Sequence, residues 1–282
     1  MATVKSYDFD PRMQLKYEFD INTIADVEAF LGKKLKSLER DGLEKVLERA
    51  PEEVAKGFSK NQKINFTDGT VALAHYPVWM ALNSLGLSKK PTGLSLSVKT
   101  ADGLNVAIRR SLQNGGDRGC LGCVAGFLRK EKAGTINELV LDNLFGDAGE
   151  SEEVGFSMKD TRSFGAKFYV DVQDQDEIIG LAQLNISSEE LIARRDGARG
   201  AGRPNQLVER DLFFLTDEQV RRVLPYARGA AQHLAALIAP QLGTPEGDEI
   251  FAAIRIPEYD RKEIWEGLVL VLNELGIPNP LF

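Results

Sequence analysis

The fold is decided by two strand-like segments within AKFYVDVQDQDEIIGLAQLNI, residues 166–186. In its first half, Ala166, Phe168, Val170 and Val172 alternate with polar or aromatic neighbours, which is typical of a strand with one buried face. From Ile178 to Ile186 the chain is almost continuously apolar, which predicts a strand at the centre of a sheet.

Further elements are predicted on both sides of this pair. Strands are expected at 13–19 and 94–98, where apolar and polar residues alternate, and at 251–256. Three of the expected helices have bounds that the sequence indicates. One begins at the cap residue Asn22 and ends at Asp41 and Gly42, one covers 106–112, and an amphipathic one covers 260–275.

Short cues complete this outline. Ser187 with Glu190, and Thr216 with Gln219, have the spacing of helix capping boxes. Gly276 suits the position after the last helix, and the span 133–163 reads as rich in loops. Strands interleave with helices throughout, which indicates an α+β or α/β class.

Composition limits the possible settings of the protein. At 282 residues and 43% hydrophobic, the chain is long enough for one large domain with a substantial core. It has no apolar run of about 18 residues, so we expect no contact with a membrane. The polar start, Met1 to Asp10, and the presence of only two cysteines predict a cytoplasmic protein.

Charge is sorted along the chain although the protein as a whole carries a net charge of −7. Residues 89–132 hold nine basic and three acidic side chains, a net of +6, whereas residues 133–191 hold 13 acids and three bases, a net of −10. A short basic insert follows, with Arg194, Arg195, Arg199 and Arg203. Such sorting favours either a positive groove for a polyanion or a solvated face.

Catalytic and metal-binding motifs are weak. Cys120 and Cys123 have C-x-x-C spacing, but a zinc site needs about four ligands, and only His75 and His233 are left to complete the set. A structural role for the two cysteines is the simpler interpretation. The sequence has no G-x-S-x-G frame and no G-K-[ST] phosphate loop, which argues against a hydrolytic triad and a nucleotide site.

Several segments share their order and spacing with one family. DTRSFGA at 160–166 and GLAQL at 180–184 resemble the D-x-R-x-F-G-A and G-x-x-Q-L stretches of the repeated backbone subunit of type I CRISPR effector complexes, the Cascade family. Upstream, 103–110 looks like the family's basic helix, and 120–128 and 202–208 are fainter matches. The similarity covers roughly residues 100–256, and the family's N-terminal N-G-D-P-D stretch is missing.

The resemblance implies a fold and a domain plan. It implies an α+β chain with an RRM-like (ferredoxin-like) palm over residues 1–282, carrying helical and loop insertions. A basic, fingers-like insertion would cover approximately 60–160, and a thumb-like loop approximately 194–210.

The resemblance also implies a binding role rather than an enzymatic one, with no cofactor. Copies would stack head to tail along a guide RNA (crRNA), together with other Cascade subunits, and present it to a target nucleic acid. Its cations would contact phosphates without reading the sequence. The predicted RNA-binding residues are Arg109, Arg110, Arg118, Arg129, Lys130, Arg162, Arg199 and Arg203.

Two other hypotheses stay open at this point. The acidic and basic regions could hold together a self-assembling structural protein without nucleic acid. Alternatively, Cys120, Cys123 and one histidine could form the site of a metal-dependent enzyme.

Overall fold

The computed structural model describes residues 5–8, 10–49, 52, 60–109, 121–129, 133–145, 154–172, 175–200, 211–223 and 261–277. The chain has an α+β fold, as predicted. Within the described residues it contains an eight-stranded sheet, a three-stranded sheet and seven α-helices.

The large sheet is built from strands β1 (Lys5–Asp8), β5 (Gly93–Lys99), β6 (Asn105–Arg109), β7 (Leu121–Gly122), β8 (Val124–Phe127), β9 (Thr161–Val172), β10 (Gln175–Leu184) and β11 (Asp211–Leu215). The small sheet is built from β2 (Lys16–Asp20), β3 (Asn61–Ile64) and β4 (Thr70–Ala74). The helices are α1 (Ile24–Leu31), α2 (Ser37–Glu48), α3 (Tyr76–Ser84), α4 (Ile136–Phe145), α5 (Ser188–Gly200), α6 (Asp217–Val223) and α7 (Arg261–Glu274).

The large sheet has the order β1-β9-β10-β5-β6-β11, with β7 paired to β6 and β8 to β5. Its central β10 and β5 are parallel, whereas the other neighbours along this order are antiparallel. The predicted central strand is therefore confirmed, since β10 lies between β9 and β5. Parallel strands in mid-sheet are buried on both faces, which explains the continuous apolar run.

Among the described residues, buried apolar side chains form at least two cores that join sheets and helices. The larger core joins one face of the large sheet to the small sheet and α4, through residues such as Leu96, Ile178, Leu73 and Leu139. The second core packs α1, α2 and α3 on the small sheet around Trp79, which is fully buried.

The helix predicted at 106–112 is wrong, because residues 105–109 form β6. Val106 and Ile108 point to the larger core while β6 pairs with β11 along its length. A short apolar run fits a helix or a strand equally well, and here the pairing partner decides.

The first predicted helix also has different ends. Thr23, one residue after Asn22, caps α1 and shares a capping box with Asp26. The helix stops at Gly32, which adopts the left-handed conformation at φ 63°. Gly42 instead lies inside α2, where a glycine costs about 1 kcal/mol relative to alanine.

The span 133–163 is less rich in loops than predicted, because it contains α4. Thr135 and Glu138 form the reciprocal cap at the start of this helix, as Glu138 N donates to Thr135 Oγ1 (3.2 Å) and Thr135 N to Glu138 Oε2 (3.0 Å). Four apolar side chains then bury one face against the larger core, namely Ile136, Leu139, Val140 and Leu144.

The predicted caps of the later helices are largely confirmed. Thr216 and Gln219 exchange hydrogen bonds of 2.8 and 3.2 Å at the start of α6. Ser187 accepts from Glu190 N at the start of α5, and Gly276 adopts φ 65° after α7. The strand predicted at 251–256 lies outside the described residues. Among the described helices, none is long and apolar enough to span a bilayer.

Candidate nucleic-acid interface

The two best-matching motif segments, 160–166 and 180–184, meet in the antiparallel pair β9–β10. Leu181 lies opposite Gly165, Ala182 opposite Phe164, and Gln183 opposite Ser163. Side chains directly opposite each other on paired strands share one face of the sheet. Successive motif residues therefore divide between two faces.

Asp160 begins this segment and has a structural role. Its carboxylate accepts hydrogen bonds from Ser157 N (2.8 Å), from Ser157 Oγ (2.9 Å) and from Arg194 of α5 (2.7 Å). Partial burial raises the pKa of Asp160, but the hydrogen bonds from Arg194 and Ser157 outweigh it, so the pKa lies below its usual value. Asp160 thus fixes the turn before β9 and ties it to α5.

Phe164 and Gly180 belong to the face that packs on the larger core. The Phe164 ring meets the Phe145 ring edge to face, with centroids 5.5 Å apart. A Cβ atom at Gly180 would lie 3.1 Å from both Phe164 Cε2 and Leu96 Cδ1. A side chain at 180 would therefore force the Phe164 ring or Leu96 to move by a few tenths of an ångström, so the ring of the neighbouring strand favours glycine here.

The opposite face of the same strands is covered at Ile179 and Ser97 but is exposed near the start of β9. Ser163, Gly165 and Gln183 are exposed, and Gln183 pairs in register with Ser163 on one side and Lys99 on the other. Arg162, also exposed, occupies a register shift of β9 just before Ser163. We call these five residues, Arg162, Ser163, Gly165, Gln183 and Lys99, the Arg162 surface.

Gly165 is the unusual member of this surface. A Cβ at this position would meet no atom within 4 Å, so packing does not require glycine here. Its φ is also outside the left-handed region. Glycine within a strand weakens it, and one reason to keep it is the close approach of a ligand or another backbone.

The donors around Gly165 suit a phosphate. Arg162 forms no ion pair with any described residue, whereas Ser163 and Gln183 supply a hydroxyl and an amide. These side-chain types contact phosphates and sugars in nucleic-acid complexes. From Ser163 to Lys99 the surface spans two strand spacings, about 10 Å.

Lys99 is partly neutralised. Its ammonium lies 3.2 Å from both carboxylate oxygens of Asp217, at the start of α6. Asn105 donates to the same carboxylate at 2.7 Å, and this bond, followed by those from Lys99, lowers the pKa of Asp217. Asp217 is therefore ionised near neutral pH, which leaves Arg162 as the stronger cation of the surface.

Two bases of the stretch 89–132 pair with acids from later in the chain. Lys89 donates to Asp176 of β10 (2.9 Å), and Lys99 pairs with Asp217. At these two positions the positive charge of the sequence stretch is therefore partly neutralised in the fold.

Most of the other predicted RNA-binding residues have side chains outside the part of the chain that the structure describes. Arg109 ends strand β6 and Arg199 lies in α5, both with side chains outside the description. Arg129 is half-buried, and its backbone bridges to Asn61. Arg110, Arg118, Lys130 and Arg203 lie outside the described residues. Residues 194–200, the first part of the predicted thumb, are helical, and there Arg195 is buried.

The predicted metal ligands are not brought together among the described residues. Cys123 is buried between β7 and β8, and His75 is buried at the start of α3. Cys120 and His233 lie outside the described residues. Within the parts of the chain that the structure describes, no three His, Cys, Asp or Glu side chains form a metal-sized cluster.

Four residues of the Arg162 surface were not predicted as site residues, namely Lys99, Ser163, Gly165 and Gln183. The sequence does contain a pattern that groups two of them, because strand alternation places Ser163 and Gly165 on one face and Phe164 and Ala166 on the other. The missing information was which face of the strand is covered, and that depends on where α4 packs.

Comparisons with known proteins add little at this point. No protein-family model matches the chain, and no curated protein matches it. Among solved structures, the chain is similar to DR0079 from Deinococcus radiodurans, with a TM-score of 0.40 and 13% identity. This similarity covers 62% of the present chain and 96% of DR0079. We draw no conclusion about fold or function from a likeness at this level.

Proposed function

We propose that this protein is a non-enzymatic RNA-binding subunit that holds a single RNA strand along the Arg162 surface. The observation that carries the proposal is the exposed glycine in mid-strand, Gly165, which lies opposite Leu181 and next to the exposed pair Ser163 and Gln183. A strand that offers no Cβ lets a sugar-phosphate backbone come close to the sheet. Arg162 supplies the charge, and Ser163 and Gln183 supply directed hydrogen bonds.

The resemblance to the Cascade backbone subunits gives the proposal its specific form. In that form the ligand is a guide RNA in the cytoplasm, and copies of the chain stack along it with other Cascade subunits. The RRM-like palm is part of this proposal, with the large sheet around β10 and β5 as the palm. Contact between Phe164 and Gly180 supports the palm indirectly, because it shows that the two segments resembling the family, 160–166 and 180–184, pack against each other.

RNA binding is tested with a labelled 20-nucleotide single-stranded RNA and fluorescence anisotropy. We expect binding that weakens as salt rises from 50 to 200 mM, because bound phosphates release counterions. Arg162→Ala is expected to reduce affinity by about three- to tenfold, similarly for RNAs of different sequence. The matched control is Arg49→Ala, since Arg49 is an exposed arginine at the end of α2 on the small-sheet side.

Two results would overturn the RNA-binding proposal: no binding at 50 mM salt, or equal affinities for the two arginine variants. The guide-RNA form has a separate test, which is sequencing of the RNA that copurifies with the protein from its native cells. One RNA class sharing a common repeat is expected. A heterogeneous mixture would contradict the Cascade assignment and leave RNA binding intact.

A further inference from the structure

A cleft of about 550 Å³ lies on the small sheet and reaches Asp176 of β10. Its floor is formed by the small side chains of Thr70 and Ala72 in the central strand β4. The cleft size is within the range of sites that bind small molecules, about 300–1,000 Å³.

Aromatic rings form one wall of the cleft. Phe19 of β2 and Phe30 of α1 meet edge to face with centroids 5.6 Å apart, and both are only partly buried. Phe30 is held from behind by the buried Trp79, also at 5.6 Å. The wall is therefore a fixed apolar surface that is still accessible to a ligand.

A β-bulge places an acid beside this wall. The register between β2 and β4 shifts between Tyr17 and Phe19, so Glu18 is the extra residue. In regular alternation, Glu18 and Phe19 would point to opposite faces, yet both line the cleft. Bulges often redirect a side chain toward a functional site.

The turn between β3 and β4 supplies a second acid. Asp68 accepts from Thr70 N at 2.9 Å, and hydrogen bonds from Thr70, with a smaller contribution from Lys16, lower the pKa of Asp68. The turn is fixed, because Gly69 has φ +78° and a Cβ there would lie 2.1 Å from Gln14 O. This side of the cleft is thus preformed.

The charges that line the cleft leave an excess of negative charge. Its lining contains three carboxylates, those of Glu18, Asp68 and Asp176, and one ammonium, that of Lys63. Lys63 lies 3.8 Å from Asp176, which also binds Lys89. Neither Glu18 nor Asp68 forms an ion pair with a described residue.

We propose that this cleft binds a small organic cation, an ammonium or guanidinium group carried on an apolar body. The apolar body lies over Ala72 against Phe19 and Phe30, and the cationic group lies between Glu18 and Asp68. The aromatic rings add attraction to a cation. Phosphates and carboxylates are repelled by the same charges, so this site differs in ligand class from the Arg162 surface.

Calorimetric titration of the full chain with 2-phenylethylammonium tests the proposal. The neutral analogue 2-phenylethanol and the anionic analogue phenylacetate are the matched ligands. We expect the amine to bind at least tenfold more tightly than phenylacetate. Glu18→Gln should weaken amine binding about three- to tenfold and leave 2-phenylethanol unchanged, whereas Glu189→Gln, at an exposed acid of α5, should change neither.

Equal affinity for the amine and the acid would overturn the proposal, as would equal affinities of the two glutamate variants for the amine. A lack of amine binding by the wild-type protein would do the same. Arg162→Ala provides the cross-check with the RNA site, because it should leave amine binding unchanged. Failure of one proposal is therefore distinguishable from failure of the other.

Discussion

Two glycines on adjacent strands, Gly165 and Gly180, show how the two faces of β9–β10 differ. At Gly180 the Phe164 ring and Leu96 occupy the space that a side chain would need. At Gly165 nothing lies within 4 Å of that space. One glycine is thus explained by packing inside the protein, and the other is not.

The residues of the two motif segments therefore fall into two groups, one that stabilises the fold and one that is available to a ligand. Asp160, Phe164 and Gly180 build a turn and a core, so their presence indicates a fold rather than a ligand. The second group is exposed to solvent and contributes little to packing. It consists of Arg162, Ser163, Gly165 and Gln183. Evidence for RNA binding must therefore come from the second group.

The largest expected effect is on the core side. Gly180→Val should lower the free energy of unfolding by about 1–3 kcal/mol, because its side chain overpacks against Phe164 and Leu96. Gly165→Val should change it by less than about 0.5 kcal/mol, since its side chain enters open space. Urea denaturation of both variants measures the contrast.

For RNA affinity we expect the opposite ranking, with the larger loss in Gly165→Val and the smaller loss in Gly180→Val. Gly165→Val is expected to weaken RNA binding, because the new side chain blocks approach to the strand. If Gly165→Val binds RNA like the wild-type protein, a close approach at this strand is ruled out. Equal destabilisation by the two variants would contradict the assignment of the faces.

An intermediate effect is expected at Asp160. Asp160→Asn should cost about 1–2 kcal/mol at pH 7, because it disturbs a cap and a charged hydrogen bond to Arg194. The folded-state pKa of Asp160 lies below the ordinary 3.8. Its stabilisation is therefore present above that pH and is lost as the pH falls through the folded value.

Urea midpoints at pH 7 and pH 3 check this assignment. The gap between wild type and Asp160→Asn should narrow at the lower pH, where the unfolded carboxyl is protonated. A gap that is constant with pH would mean that the shape of the side chain matters and its charge does not.

The smallest effect is expected at Asp217, beside the Arg162 surface. Asp217→Asn removes the charge that neutralises Lys99 and keeps an oxygen for Asn105. We expect RNA binding to tighten about twofold at 50 mM salt, and stability to change by less than about 1 kcal/mol. Anisotropy titration measures the first and urea denaturation the second. Unchanged affinity would place Lys99 outside the RNA contact.

Local patterns predicted much of the fold. Strands β5, β9 and β10 followed from alternation and apolar runs, and α6 and α7 from caps and helical spacing. Strand β6 did not, because Val106 to Ile108 is too short for its period to be read, and its partner β11 lies about a hundred residues later. Thr135 and Glu138, which cap α4, have the T-x-x-E spacing of a capping box, so the start of this helix is predictable from sequence.

The candidate site was less predictable than the fold. Arg162 was predicted as an RNA-binding residue, and the structure shows only that it is exposed. Counting charge along 89–132 could not show that Asp176 and Asp217 neutralise Lys89 and Lys99, because these pairs join residues about 90 and 120 positions apart. The cleft depends on a bulge in β2, and a register shift is set by the partner strand.

The most direct test of the RNA contact is photo-crosslinking with RNA that contains 4-thiouridine, followed by peptide mapping. We expect crosslinks in the peptides that contain residues 160–166 and 180–184, and a lower crosslinking yield with Arg162→Ala at subsaturating protein concentration. Crosslinks confined to α1, α2 or the small sheet would contradict the account.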